Sequence, residues 1–194
     1  MNNEAIIREF MEAKAILKGH FILSSGLRSD TYLQCARVLM NPARADRLCK
    51  ALADNVKQTL GTLPDMVVAP AMGGVVVGYE MGRQLGLETI FCERENGVFA
   101  LRRGFEIPKG AKVLLVEDVV TTGKSSLEAV ECIEAAGGTV VAEASLINRS
   151  GVDNPMPFPL ISLLKLEVAT FDEANVPAHL ANVPAVKPGS RGLK

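Results

Sequence analysis

Residues 112–126 read KVLLVEDVVTTGKSS, and the order of residue types in this stretch is unusual. Val113, Leu114, Leu115 and Val116 form an unbroken apolar run, the pattern of a strand buried on both faces of a parallel sheet. Glu117 and Asp118 follow at once. Two adjacent carboxylates at the edge of a core repel each other and must be desolvated, so packing cannot explain them and a wet or ligand-filled crevice is required. Val119 and Val120 then lead into Thr121, Thr122, Gly123, Lys124, Ser125 and Ser126, which open a helical segment. Free backbone N–H groups at a helix start, with hydroxyls beside them, make an anion pocket whose usual occupant is a phosphate.

The stretch therefore demands a ligand with hydroxyls for the acids and an anion for the loop, and a ribose 5-phosphate has both. Gly123, Lys124 and Ser125 spell the end of a nucleotide-triphosphate loop, but that motif needs a further glycine at position 118, where Asp118 stands. Gly73, Gly74 and Gly78 have the wrong spacing for a dinucleotide fingerprint. With strand, acid pair, Thr/Gly loop and helix in unbroken order, the stretch resembles the signature of the phosphoribosyltransferases. In that family the two acids hold the ribose hydroxyls and the loop holds the 5-phosphate.

Composition sets the outer bounds. The 194 residues with 48% hydrophobic content are enough for one substantial core, and a net charge of -1 makes no global case for nucleic acid or an anionic membrane. The start, MNNEAIIREF, reads as no secretory signal, and no apolar run approaches spanning length. Cys35, Cys49, Cys92 and Cys132 are far apart, which suits reduced thiols in a cytoplasm. His20 and His179 are isolated and lack metal-ligand spacing.

Upstream, Ile6, Ile7, Phe10, Met11 and Leu17 predict a covering helix over residues 3–17. Residues 19–34 predict a small hairpin or irregular cap around a polar turn with Gly26. Asn41 and Pro42 cap an amphipathic helix to Leu60, ended at Gly61. Residues 65–69 form a short strand, and Pro70, Ala71, Met72, Gly73 and Gly74 lead into a helix to Leu85. Glycines at such a turn let a ligand approach the backbone. Residues 88–92 predict another strand, Asn96-Gly97 a tight turn, and residues 98–101 a hairpin arm, with Arg94, Arg102 and Arg103 as the cations of this segment.

Downstream, a helix runs to Ala136, Gly137-Gly138 ends it, and a strand over residues 139–147 runs into Asn148, Arg149 and Ser150. A cation there faces the same crevice as the acid pair, and an arginine can grip a carboxylate with two bonds. Residues 160–168 predict an edge strand, and residues 170–194 show no period. The expected fold is α/β: a doubly wound central parallel sheet with a small N-terminal hood, right-handed crossovers and helices on both faces. One domain is expected over 1–194, made of hood (1–40), core (41–168) and irregular tail (169–194).

Within the hood, Phe21, Leu23, Ser25, Gly26, Ser29 and Tyr32 resemble the amino-terminal piece of the orotate phosphoribosyltransferases, which other phosphoribosyltransferases are not expected to share. The resemblance covers about residues 10–150, and the ending VPAVKPGSRGLK is similar to the tail of one bacterial branch. It implies transfer of phosphoribosyl from phosphoribosyl pyrophosphate to orotate, with Mg²⁺ as cofactor and a homodimer as the assembly. Phosphoribosyl pyrophosphate would meet Arg94, Ala71, Met72, Gly73, Gly74, Glu117, Asp118, Val119, Val120, Thr121, Thr122, Gly123, Lys124 and Ser125. Orotate would meet Thr121, Arg149 and Tyr32, although Tyr32 equally suits core packing. Glu117, Asp118, Arg102 and Arg103 would act in catalysis.

The chain departs from the family pattern at several places. Ser24 stands where many relatives carry lysine and Gly73 where some do, and Glu95 and Val98 stand where loop lysines are expected, with Arg102 and Arg103 as candidate substitutes. Two alternatives stay open on sequence alone: a phosphoribosyltransferase for another base, and a non-catalytic sensor of phosphoribosyl pyrophosphate.

Overall fold

The computed structural model describes residues 1–23 and 26–188. The elements run α1 (Asn3–Glu12), β1 (Ile16–Ile22), β2 (Arg28–Leu33), α2 (Cys35–Leu39), α3 (Pro42–Leu60), β3 (Met66–Pro70), α4 (Gly73–Leu85), β4 (Thr89–Glu95), β5 (Val98–Leu101), β6 (Lys112–Val120), α5 (Lys124–Ala135), β7 (Thr139–Asn148), β8 (Leu160–Lys165), β9 (Thr170–Phe171), and after a 3₁₀ turn α6 (Ala178–Ala181). Six strands form the central sheet in the order β5-β4-β3-β6-β7-β8. All neighbours are parallel except β5, which folds back on β4 through the Asn96-Gly97 turn.

Both faces of this sheet are covered, as its continuous apolar runs require. Val67, Leu114 and Val116 face one core with residues of α1, α2, α3 and α4. Met66, Val68, Val113 and Leu115 face a second core with Ala129, Val130 and Ile133 of α5. Helix α4 approaches the sheet on a glycine stripe: a Cβ on Gly78 would lie 2.6 Å from that of Ala69, and one on Gly74 2.9 Å from the Val116 carbonyl oxygen. Close approach of this kind brings the first turn of α4 against the end of β6.

The hood is a three-stranded sheet, β1-β2-β9. Here and at the edge of the central sheet the structure corrects the sequence reading. Helix α1 stops at Glu12 rather than at residue 17: Lys14 takes a positive φ of 51° and the Ala15 N–H reaches back to the Phe10 carbonyl, closing the helix. Leu17 belongs instead to β1, opposite Tyr32. A short helix, α2, follows the hairpin where no element was expected. The segment after residue 169 is not wholly irregular, since Thr170 and Phe171 pair with Ser29 and Arg28, and Val186 bridges to Phe21. The edge strand ends at Lys165, not at residue 168. Ser24, Ser25 and residues 189–194, part of the hood and tail resemblances, lie outside the described residues.

Candidate active site

The carboxyl ends of β3, β6 and β7 lie side by side, and each delivers a different chemistry to one crevice. Strand β6 ends in the acids. Glu117 is buried and Asp118 partly so; the Asp118 N–H donates to Glu117 Oε1 at 3.2 Å, and the Val119 N–H to Asp118 Oδ1 at 2.9 Å. Neither carboxyl has a cationic partner among the described residues. Burial pushes the Glu117 carboxyl well above its usual range, and repulsion from Asp118 adds to it. Burial raises Asp118 as well, against the hydrogen bond from Glu117 that lowers it. A buried carboxyl pair with no cation is suited to accepting hydrogen bonds from ligand hydroxyls.

Two helices start at this crevice, and neither start is capped by a side chain. Gly123 precedes α5 in the left-handed region at φ 78°, and Met72 precedes α4 after a cis peptide between Ala71 and Met72. By contrast α1 and α3, away from these strand ends, are capped by Asn2 and Asn41, whose side chains accept from backbone N–H groups. Orphan amides at a helix start need an acceptor; among the described residues none at α4 has a side-chain one, and at α5 only the Lys124 N–H does, through a long bond to the Thr122 hydroxyl. Thr121, Thr122, Lys124 and Ser125 surround the α5 start, with the Thr122 hydroxyl 3.4 Å from the Lys124 N–H.

Strand β7 delivers Arg149, whose N–H donates to the Val120 carbonyl at 2.8 Å and so ties it beside the acid strand. Its half-buried guanidinium makes no hydrogen bond or ion pair with any described residue. Burial lowers its pKa, while Tyr32 and Cys35 raise it. Tyr32 answers in kind: burial raises its hydroxyl, Asp118 raises it further and Arg149 lowers it. Tyr32 also tilts against Phe21, ring centres 5.7 Å apart. The hood thus sits over the crevice, and acids, Arg149 and Tyr32 are close enough to feel one another's charge.

The cations of the β4–β5 hairpin are not brought to the acids. Arg94 pairs with Glu128 of α5, donates to the Gly97 carbonyl at 2.6 Å and stacks over Phe99 at 4.1 Å. Arg103 reaches Glu93 at 3.1 Å, and Arg102 lies 3.9 Å from Glu93 and 4.0 Å from Glu95. Sequence reasoning missed Cys35, a fully buried thiol raised by burial and then by Asp118 and Glu117. Nothing in its local pattern marks it. It also missed Glu143, which the lone charge in VVAEASLI could have flagged.

A model of the phosphoribosyl transferase domain matches residues 36–182. The chain belongs to the phosphoribosyltransferase family. It is 56% identical over 191 residues to the orotate phosphoribosyltransferase of Rhizorhabdus wittichii, covering 98% of this chain and 97% of that one. It is 53% identical to the enzyme of the same name from Maricaulis maris, over all of both chains. Among solved structures, the orotate phosphoribosyltransferase of Aeropyrum pernix superposes with a TM-score of 0.69 at 26% identity, over 83% of this chain and 93% of that one. The phosphoribosyltransferase fold accounts for the sheet order and for the crevice at its carboxyl edge.

Proposed function

We infer that this protein is an orotate phosphoribosyltransferase, which joins orotate to the ribosyl carbon of phosphoribosyl pyrophosphate and releases pyrophosphate, giving orotidine 5'-phosphate in pyrimidine biosynthesis. Relatives of that name, over half identical along their full length, support it. The observation that carries it in the fold is a pair of unmet demands: a half-buried Arg149 with no carboxylate partner among the described residues, beside two acids with no cation. Orotate carries a carboxylate for the first, and a ribose carries hydroxyls for the second.

Breaking the bond from ribose to pyrophosphate builds positive charge on the sugar and negative charge on the leaving group. Catalysis is then electrostatic and positional, with no protein nucleophile needed. In our reading Glu117 and Asp118 accept hydrogen bonds from the ribose hydroxyls, and their negative charge favours the sugar cation. The α5 start, residues Thr121 to Ser125, fixes the 5-phosphate. The backbone of Ala71, Met72, Gly73 and Gly74 at the α4 start takes the pyrophosphate, and Arg102 and Arg103 come to it by leaving Glu93 and Glu95.

Mg²⁺ belongs to the same proposal, carried in on pyrophosphate oxygens and water, as suits a hard cation beside a pair of carboxyls. When bound it neutralises charge on the leaving group. We further propose a cytoplasmic homodimer. Four free thiols suit a reducing compartment. Met72, Val76 and Tyr79 lie exposed at helical spacing at and beyond the α4 start, which suits a covered face. A monomer in sedimentation at assay concentrations would overturn the dimer.

The deciding assay follows orotate absorbance with pure protein, phosphoribosyl pyrophosphate and Mg²⁺. Orotate should disappear, while uracil and purines in parallel give no product. Binding of phosphoribosyl pyrophosphate without turnover of any base would overturn the enzymatic reading.

A further inference from the structure

Glu143 lies in the middle of β7 and is 0% exposed. A carboxyl there is costly, since burial disfavours its charged form and no cation bonds to it among the described residues. Its Oε1 accepts from the Ser126 hydroxyl at 2.6 Å, while its Oε2 is buried with no partner. Ser126, itself 2% exposed, is in the first turn of α5, next to the last residue of the phosphate-binding turn. In the sheet, Glu143 stands opposite Leu115 and Ser145 opposite Glu117, and the Ser145 hydroxyl is 2.7 Å from that of Ser162 on β8. Glu143 therefore links the start of α5 to β7, the strand that lies beside the one carrying the acid pair.

We propose that Glu143 is a positioning residue for the phosphate-binding turn: through Ser126 it sets the first turn of α5, and its ionisation tunes how well that turn accepts a ribose phosphate. This rests on the reading of Thr121 to Ser125 as the 5-phosphate site. Burial lifts the carboxyl to about 7, against the Ser126 hydrogen bond that draws it down. From β6, Glu117 feels its charge and is itself raised by it. From α5 it meets the hydroxyl of Ser126, and β8 opposes it with apolar Leu160 and, two pairs along, Ser162.

The sign follows. Below neutral pH Glu143 is uncharged, and the amides of the turn act on a phosphate without opposition. As pH rises through 7 a negative charge forms behind the turn, and a phosphate dianion binds less well. Binding of the ligand accordingly draws a proton onto Glu143.

The test is calorimetric titration of the full chain with ribose 5-phosphate from pH 6.5 to 8.5, on the wild type, Glu143→Gln and Ser126→Ala. The wild-type affinity should weaken with pH by about threefold or more beyond Glu143→Gln, the size expected of one added charge across a partly polar interior. Proton uptake, read from two buffers of different ionisation enthalpy, should drop in that variant. Ser126→Ala removes the bond that lowers the carboxyl, so its break should move to higher pH. Identical pH dependence in wild type and Glu143→Gln, or an unmoved break in Ser126→Ala should Glu143→Gln fail to fold, would overturn the proposal. Wild type that does not bind ribose 5-phosphate at any pH would instead bring down the phosphate-site reading beneath it.

Discussion

Two neighbouring turns of this molecule hold the same place in the fold and carry opposite chemistry. Strands β3 and β6 run parallel in register, end at the same edge of the sheet, and each feeds a helix whose cap residue offers no side-chain acceptor. The β6 turn presents two carboxyls and three hydroxyl-bearing residues, Thr121, Thr122 and Ser125; the β3 turn presents small residues, Met72 and backbone. The structure shows why the second is so bare. A Cβ on Gly73 would stand 2.8 Å from Asp118 Oδ1, and one on Gly74 2.9 Å from the Val116 carbonyl oxygen. The acid strand occupies the space that a side chain on its neighbour would need, so one turn works with side chains and the other must work with amides.

The largest effect should come from removing a side chain on the acid turn. Asp118→Asn is expected to lower turnover by about a hundredfold or more, the loss typical of one preorganised electrostatic group, as read by steady-state orotate consumption. The fold should stay intact. Because the folded protein raises the Asp118 pKa, the group's contribution to stability is present at acid pH and is lost as pH rises through its folded value. Asp118→Asn should then melt no lower than the wild type at pH 8, and closer to it or below it at pH 5. A variant with full activity would end the contrast between the turns.

A smaller effect tests the bare turn. Since its residues bring no charge, the cations for a pyrophosphate must come from outside it, and Arg102 and Arg103 are exposed and held by Glu93 and Glu95, with Arg103 also over the Phe91 ring. Exposed pairs of this kind are weak, about 0–1 kcal/mol each, so they release easily. Replacing both arginines by Ala should cut turnover by about tenfold, worth about 1.4 kcal/mol, with an unchanged melting point. Unchanged kinetics would mean that the amides suffice alone.

The sheet was legible because its signals are local: the apolar runs at 66–69 and 113–116, Asn41 before Pro42, the glycines at 61 and 97. The acid pair and its loop were legible for the same reason, since one contiguous stretch holds them. What escaped depends on contacts between distant segments. Leu17 continues a helical pattern yet is claimed by pairing with Tyr32 across the hood, and β9 exists only because Ser29 and Arg28 offer an edge. Cys35 joins the site through tertiary placement, which no spacing rule contains. The arginines of residues 94–103 read as site cations by type, but their acidic partners Glu128, Glu93 and Glu95 were assigned to other roles or none.

The smallest effect on turnover should separate the two glycines of the bare turn. At Gly73 the obstacle to an alanine is the far end of the Asp118 side chain, which can swing aside. Gly73→Ala should therefore leave the melting point nearly unchanged, because the added helix propensity of about 0.5–1 kcal/mol offsets the crowding, while turnover falls about threefold as the carboxyl shifts. At Gly74 the obstacle is the Val116 backbone carbonyl, with Ala69 and Pro70 also in contact, and none of these can move without opening the β3–α4 junction. Gly74→Ala should destabilise the fold by about 1–3 kcal/mol in denaturant titration. If both variants lost stability alike, Asp118 would be as rigid as backbone, and the acid turn would owe its geometry to the glycine turn rather than the reverse.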